Sequence, residues 1–139
     1  QTVFAYDEAD LAKLQRSGDC ELCDLSGATF LKAELKKANL RNVNLKKANL
    51  SLADLSQADL SLASLVQANL AGTQLRETDL SFADFNKANL TKANLNGSIL
   101  RYALLNNANL TETSFEYANL SSAKLIGADL TNVNLSGKG

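Results

Sequence analysis

Histidine, tryptophan, methionine and proline are absent from the 139 residues, and cysteine occurs only twice. Without histidine the chain lacks the commonest general base near neutral pH and the commonest metal ligand. Without proline no turn can rest on a locked φ. An excess of charge is missing too: Lys plus Arg (14) against Asp plus Glu (15) leaves a net charge of −1, too weak a field to steer nucleic acid or anionic lipid. No apolar run approaches the roughly eighteen residues of a membrane span. We therefore expect no metal, no cofactor, no nucleic-acid partner and no membrane insertion.

What the chain does have is leucine and alanine, 27 plus 20 residues or 34 per cent, arranged with a period of five. Every fifth residue from Leu25 to Leu135 is Leu or Phe, with Phe at Phe30, Phe85 and Phe115. Two residues before each of these centres the side chain is small, mostly Ala, with Thr73, Thr78, Thr113, Val43, Val133, Ser98 and Cys23 as the variants. One residue before, Asp or Asn dominates. Five residues advance an α-helix by about 500°, which would scatter the leucines round its surface. In a strand, an odd repeat would send alternate leucines to opposite faces. Both apolar columns can point inward only if the backbone bends once per repeat and winds as a solenoid. Asn, Asp, Ser and Gly suit such bends, and Gly27, Gly72, Gly97, Gly127 and Gly137 share one column.

A small residue, Asp or Asn, Leu or Phe, then two variable residues: over 23–137 this pattern resembles the pentapeptide-repeat proteins. The resemblance implies an all-β fold, a right-handed quadrilateral β-helix with four pentapeptides per coil. Twenty-three repeats then make about six coils, and strand spacing makes a rod on the order of 28 Å long. The segment LAKLQRSGDCELCDLSGATF is similar to the N-terminal module of cyanobacterial members, many of them exported. That resemblance, with a chain starting at Gln1, implies a mature form in the thylakoid lumen or periplasm rather than the cytoplasm.

Residues 1–22 precede the unbroken repeat and read as a cap, with 23–137 as the β-helix and 138–139 as a tail. Asp7 as N-cap, Asp10 at the third helical position, a Tyr6–Leu11 staple and Gly18 at the C-terminus predict a short α-helix near 7–16. The end SGKG carries no matching cap, so the last coil, with Leu120, Leu125, Leu130 and Leu135, is a candidate homodimer contact. Cys20 and Cys23 form a CxxC pair. In the repeat register Cys20 is a centre and Cys23 the next small position, so a disulfide across one corner is favoured over two buried thiols, a redox centre or a zinc half-site.

Spacing by twenty stacks Leu62, Phe82 and Tyr102 in an outward column, with Ile99 and Leu104 nearby. This is the candidate partner surface, against the alternative of scattered surface apolar residues. Lys32, Lys36, Lys37, Arg41, Lys46 and Lys47 read as a solvated basic face. The column Thr29, Asn49, Asn69, Asn89, Asn109, Asp129 reads as a hydrogen-bonded structural ladder. Asp54, Asp59, Asp79 and Asp84 fall in the turn-forming column, which makes them structural rather than paired acid and base. With no nucleophile and base pair, phosphate loop or metal cluster, the chain is expected to be a non-enzymatic scaffold or interaction module with an unidentified protein partner. The alternative is a DNA mimic that inhibits a type II topoisomerase, as quinolone-resistance members of the family imply. The near-neutral charge and the bases at 32–47 oppose it.

Overall fold

In a computed structural model, which describes residues 6–137, the chain winds as a four-sided coil. Parallel bridges join each residue of the Asp/Asn column to the one twenty positions on, from Asp19↔Asn39 to Ser114↔Asn134. We label the sides A to D, centred in the first coil on Cys20, Leu25, Phe30 and Leu35. The outer parts of the expected domains, residues 1–5 and the 138–139 tail, lie outside the described residues.

One hydrogen-bonding unit repeats on every side. Leu25 N–H donates up to Asn44 O (2.8 Å), Asn44 N–H donates down to Cys23 O (2.9 Å), and Gly27 N–H donates up to Lys46 O (2.9 Å). The corner closes when Ala28 N–H donates to Leu25 O (3.2 Å). The third residue of each such turn has a positive φ, for example Leu62 (62°), Phe82 (60°) and Tyr102 (60°), which is the type II pattern. Holding a non-glycine residue there costs about 1 kcal/mol, and the coil-to-coil hydrogen bond made by that residue's own N–H offsets the cost. Gly137 is needed for space as well: a Cβ there would lie 2.7 Å from the Tyr117 ring.

The two apolar columns fill the interior. Leu60, Leu80, Leu100 and Phe85 are fully buried, with Ala53 and Ala83 beneath the corners. Where threonine replaces alanine, its hydroxyl donates to a carbonyl of the coil below: Thr73 to Leu50 O (2.8 Å) and Thr113 to Leu90 O (2.7 Å). Burial stops at the far end, where Leu130 is 45% and Leu135 60% exposed.

The helix α1 spans Glu8–Ser17 and closes the other end. The Asp7 carboxylate accepts from Ala9 N–H (2.8 Å) and Asp10 N–H (3.3 Å), and Gly18, left-handed at φ 69°, returns its N–H to Leu14 O (2.8 Å). Asp10 does not reach back to its own N-cap. It accepts the N–H of Asp24 instead (2.8 Å), while Asp7 N–H donates to Asp24 O (2.9 Å). Ser17 Oγ serves Asp19 likewise, accepting its N–H (3.1 Å) and donating to its carbonyl (3.3 Å). The helix thus supplies what a preceding coil would have supplied on sides A and B. The ladder starts at Asp19, ahead of the boundary drawn at residue 23, because Cys20 stands where a leucine otherwise does.

Candidate interaction surface

Because the corner residues between sides A and B recur every twenty positions, Leu62, Phe82 and Tyr102 lie in one outward column. They are 43%, 55% and 46% exposed. The Phe82 and Tyr102 rings stack with centroids 4.9 Å apart and planes 10° from parallel, and the Arg101 guanidinium carbon lies 5.7 Å from the Tyr102 centroid. Offset stacking of this kind is worth about 1 kcal/mol beyond area burial. Below Leu62, Arg41 Nη1 donates to Ser61 Oγ (3.0 Å), and Ser61 Oγ donates to Asp59 (2.6 Å).

Ile99 and Leu104 flank Tyr102 on sides A and B, Ile99 exposed and Leu104 half-buried. Both occupy the column that elsewhere holds Asp, Asn or another polar residue, and they are its only apolar members from Asp19 to Asn134. Each replacement removes a side-chain acceptor. On typical corners that acceptor takes the N–H two residues on, as Asp59 does for Ser61 (2.9 Å) and Asp79 for Ser81 (3.0 Å). After Leu104 the loss is made good from the coil below, where Asn86 Oδ1 accepts Asn106 N–H (2.9 Å). After Ile99 no such acceptor replaces it. Side-chain turn acceptors are thus given up on two adjacent sides of one coil, on either side of one aromatic residue; this pairing was open to inspection in the sequence once the column was read for exceptions.

Three other expectations concern the cysteines, the basic residues and the asparagine column. Cys20 and Cys23 are joined in a disulfide across the first corner turn, both buried, with Cys20 Sγ 3.2 Å from the Asp10 carbonyl oxygen. The basic residues do not form a face: Lys32, Lys36 with Lys37, Arg41, and Lys46 with Lys47 fall on four successive corners and make a belt. The asparagine column is bridged through its backbone, but its side chains do not bond to each other. Asn89 and Asn109 each accept from their own turn, from Thr91 N–H (3.0 Å) and Thr111 N–H (3.1 Å). Cross-coil side-chain bonds do form on sides A and B, where Asn39 Nδ2 donates to Asp19 (3.1 Å) and Asn44 Nδ2 to Asp24 (3.3 Å) while each Oδ1 serves its own turn.

The carboxylates proposed as structural do take part in turns. Partial burial pushes the Asp54 carboxyl up, but the Ser56 N–H and hydroxyl and Lys36 Nζ (3.3 Å) together hold it below the usual carboxylate range. A cavity of about 480 Å³ lies between α1 and sides C and D of the first coil, lined by Leu11, Leu14, Phe30, Ala33, Leu35 and Lys36 among others. Among the described residues no cluster of three or more His, Cys, Asp or Glu could hold a metal ion. Nor is any described helix long and apolar enough to cross a membrane.

The family model for pentapeptide repeats matches residues 23–61, 58–97 and 98–137. Among solved structures, the chain is similar to a pentapeptide repeat protein, Rfr23, from the cyanobacterium Cyanothece 51142, with 30% identity, 91% of this chain and 97% of that one covered, and a TM-score of 0.73. It is similar also to a pentapeptide repeat protein from the Arabidopsis thaliana thylakoid lumen (30% identity, 85% and 69% covered, TM-score 0.33). A third likeness is to QnrB1, a plasmid-mediated fluoroquinolone resistance protein (24% identity, 83% and 63% covered, TM-score 0.47). No curated protein matches the chain.

Proposed function

Because the chain belongs to the pentapeptide-repeat family, we propose that it acts without catalysis, as a rigid right-handed quadrilateral rod presenting the corner stripe of Leu62, Phe82 and Tyr102, with Ile99 and Leu104, to a protein partner. One observation carries the reading: Leu60, Leu80 and Leu100 are 0% exposed, so the interior is filled and only the outer surface is left for recognition. On that surface the two apolar replacements in the turn-forming column, Ile99 and Leu104, both fall beside Tyr102 and enlarge its apolar patch.

The compartment proposed is the thylakoid lumen or the periplasm. The Cys20–Cys23 bond supports this, because disulfides persist in oxidising compartments. The other reading, imitation of duplex DNA toward a type II topoisomerase, would call for an acidic rod. Residues 48–139 hold eight acids and six bases. A basic belt lies beside them at Lys32 to Lys47. A supercoiling assay with gyrase would register inhibition only under that second reading.

The test is crosslinking in the native compartment followed by identification of the captured protein, repeated with Phe82→Asp. Because Phe82 lies outside the core, the variant loses the ring stack on Tyr102, about 1 kcal/mol, and stays folded with a melting temperature lower by a few degrees. It loses the captured protein if the stripe is the contact. Undiminished capture by the variant overturns the assignment.

A further inference from the structure

We propose that Arg101, lying over the Tyr102 ring, and Lys124 set the specificity of the corner stripe, and that the partner segment they select joins a side-chain carboxylate to a large apolar side chain, a step that rests on the stripe being the partner surface.

The positions just before Leu62, Phe82 and Tyr102 belong to a column of their own, which reads Glu21, Arg41, Ser61, Ser81, Arg101, Ser121. Its two arginines have different surroundings. Arg41 is paired: its Nε lies 3.8 Å from Glu21, and its Nη1 donates to Ser61 Oγ (3.0 Å). Arg101 has a serine one coil below and another one coil above, and the upper one, Ser121, already donates its hydroxyl to Asn119 Oδ1 (2.6 Å). Among the described residues Arg101 has no carboxylate partner, and its guanidinium carbon lies 5.7 Å from the Tyr102 centroid instead. A guanidinium that sets its flat face on a ring keeps its N–H donors, which lie in its plane and match the two oxygens of a carboxylate. Lys124 stands one coil above Leu104 on side B, is exposed, and also has no ion pair among the described residues.

The acids nearby are engaged elsewhere. Asp79 and Asp84, one coil below Ile99 and Leu104, accept Ser81 N–H (3.0 Å) and Asn86 N–H (2.9 Å). Glu116, on the corner between sides D and A, accepts from Asn134 Nδ2 (3.2 Å) and Ser136 Oγ (3.0 Å). The upper stripe thus presents two cations without counter-ions beside an apolar group of Ile99, Tyr102 and Leu104. Charge complementarity points to a carboxylate, and the apolar group to a large apolar side chain next to it. Water excluded by that second side chain strengthens the bonds between carboxylate and guanidinium. A nucleic-acid strand fits this surface worse, because its evenly spaced phosphates would run from the two cations onto Asp79 and Asp59 on side A or Asp84 on side B.

The experiment selects random peptides displayed on phage against the immobilised full chain and measures the recovered peptides by calorimetry. The recovered peptides carry Asp or Glu within a few residues of Leu, Ile, Phe or Trp. Arg101→Glu weakens them about tenfold, and Arg101→Lys, which keeps the charge but not the paired donors, about threefold. Lys124→Gln also costs about threefold. All are exposed positions, and circular dichroism checks that each variant is folded. Changing the acid of a peptide to its amide lowers affinity for the wild type but not for Arg101→Gln, a coupling that a merely structural arginine would not show. Phe82→Asp abolishes binding of every peptide. Recovery of no peptide, peptides without an acid, peptides that bind Arg101→Glu as well as wild type, or a single-stranded oligonucleotide bound more tightly than any peptide would each overturn the proposal. If Phe82→Asp still abolishes binding in those cases, the stripe stands as the contact and only its specificity is wrongly assigned; peptides indifferent to Phe82→Asp overturn the stripe itself.

Discussion

Asp10, in the first turn of the helix, accepts the backbone N–H of Asp24 at 2.8 Å, the group that in every later coil is taken by a carbonyl of the coil below. A carboxylate side chain therefore does the work of a missing strand. With Asp7 N–H on the carbonyl of the same residue, it fixes the helix across the end of the core and buries Leu14.

Asp10→Ala should accordingly cost about 1–2 kcal/mol, the loss of a charge-assisted bond to a partly buried donor. Its effect should be local, because each coil contacts only its neighbours. Hydrogen exchange should show the Asp24 amide speeding up while the Leu80 and Leu100 amides keep their protection. Equal acceleration along the rod would mean that the cap governs global stability.

Leucines in one column should differ in worth according to the coil they occupy. Leu80→Ala removes a fully buried side chain between two filled coils and should destabilise by about 3 kcal/mol, whereas Leu80→Asp should prevent the neighbouring coils from folding. Leu135→Ala, at a position 60% exposed, should cost less than about 1 kcal/mol in the monomer. Denaturant titration of the three variants checks the order.

Much of this was legible in the residues alone. The five-residue period excludes a helix and a straight strand by geometry, so the coil and its inward columns follow for residues such as Leu60 and Ala58 before any coordinates. What could not be read was anything depending on a choice between partners of similar energy. Asn89 and Asn39 share a column type, yet Asn39 donates to Asp19 one coil away while Asn89 accepts only from Thr91, a difference set by the partner twenty residues back, which is a carboxylate for Asn39 and an amide for Asn89. Asp10 can bond to its own N-cap or, as here, to Asp24, which is fourteen residues away in sequence and adjacent only once the end of the coil exists. The lysines from Lys32 to Lys47 are close in sequence but leave on different corners, since the chain turns about 90° every five residues in a four-sided coil.

Reduction of the Cys20–Cys23 bond should weaken the first coil by about 2 kcal/mol, the entropic worth of closing so short a loop. Both cysteines are buried, and Cys20 Sγ lies against the helix at the Asp10 carbonyl. The folded protein should therefore resist reductant until that coil opens. Thiol labelling over time, with and without mild denaturant, checks this; rapid labelling under native conditions would show an accessible bridge. Serine at both positions should lower stability further than reduction does, by placing hydroxyls in an apolar corner.

Acid should destabilise the rod through carboxylates such as Asp54. Burial alone would raise its pKa, but the Ser56 N–H and hydroxyl and the nearby Lys36 outweigh burial and lower it. Asp129 shifts the same way, through the Thr131 hydroxyl and N–H. A group whose pKa is lower folded than unfolded binds its proton more readily in the unfolded chain. Its contribution is therefore fully present above the unfolded value of about 3.9 and is lost as pH falls through the folded value. Melting temperature should be flat from neutral pH to about 5 and fall below about 4. Asp54→Asn should flatten part of that fall, because an amide keeps an acceptor for the Ser56 N–H but cannot titrate. Lys36 is largely exposed, so added salt should trim only the part owed to its charge and leave the part owed to Ser56. A variant as acid-sensitive as wild type would assign the loss to other carboxylates in the turn column.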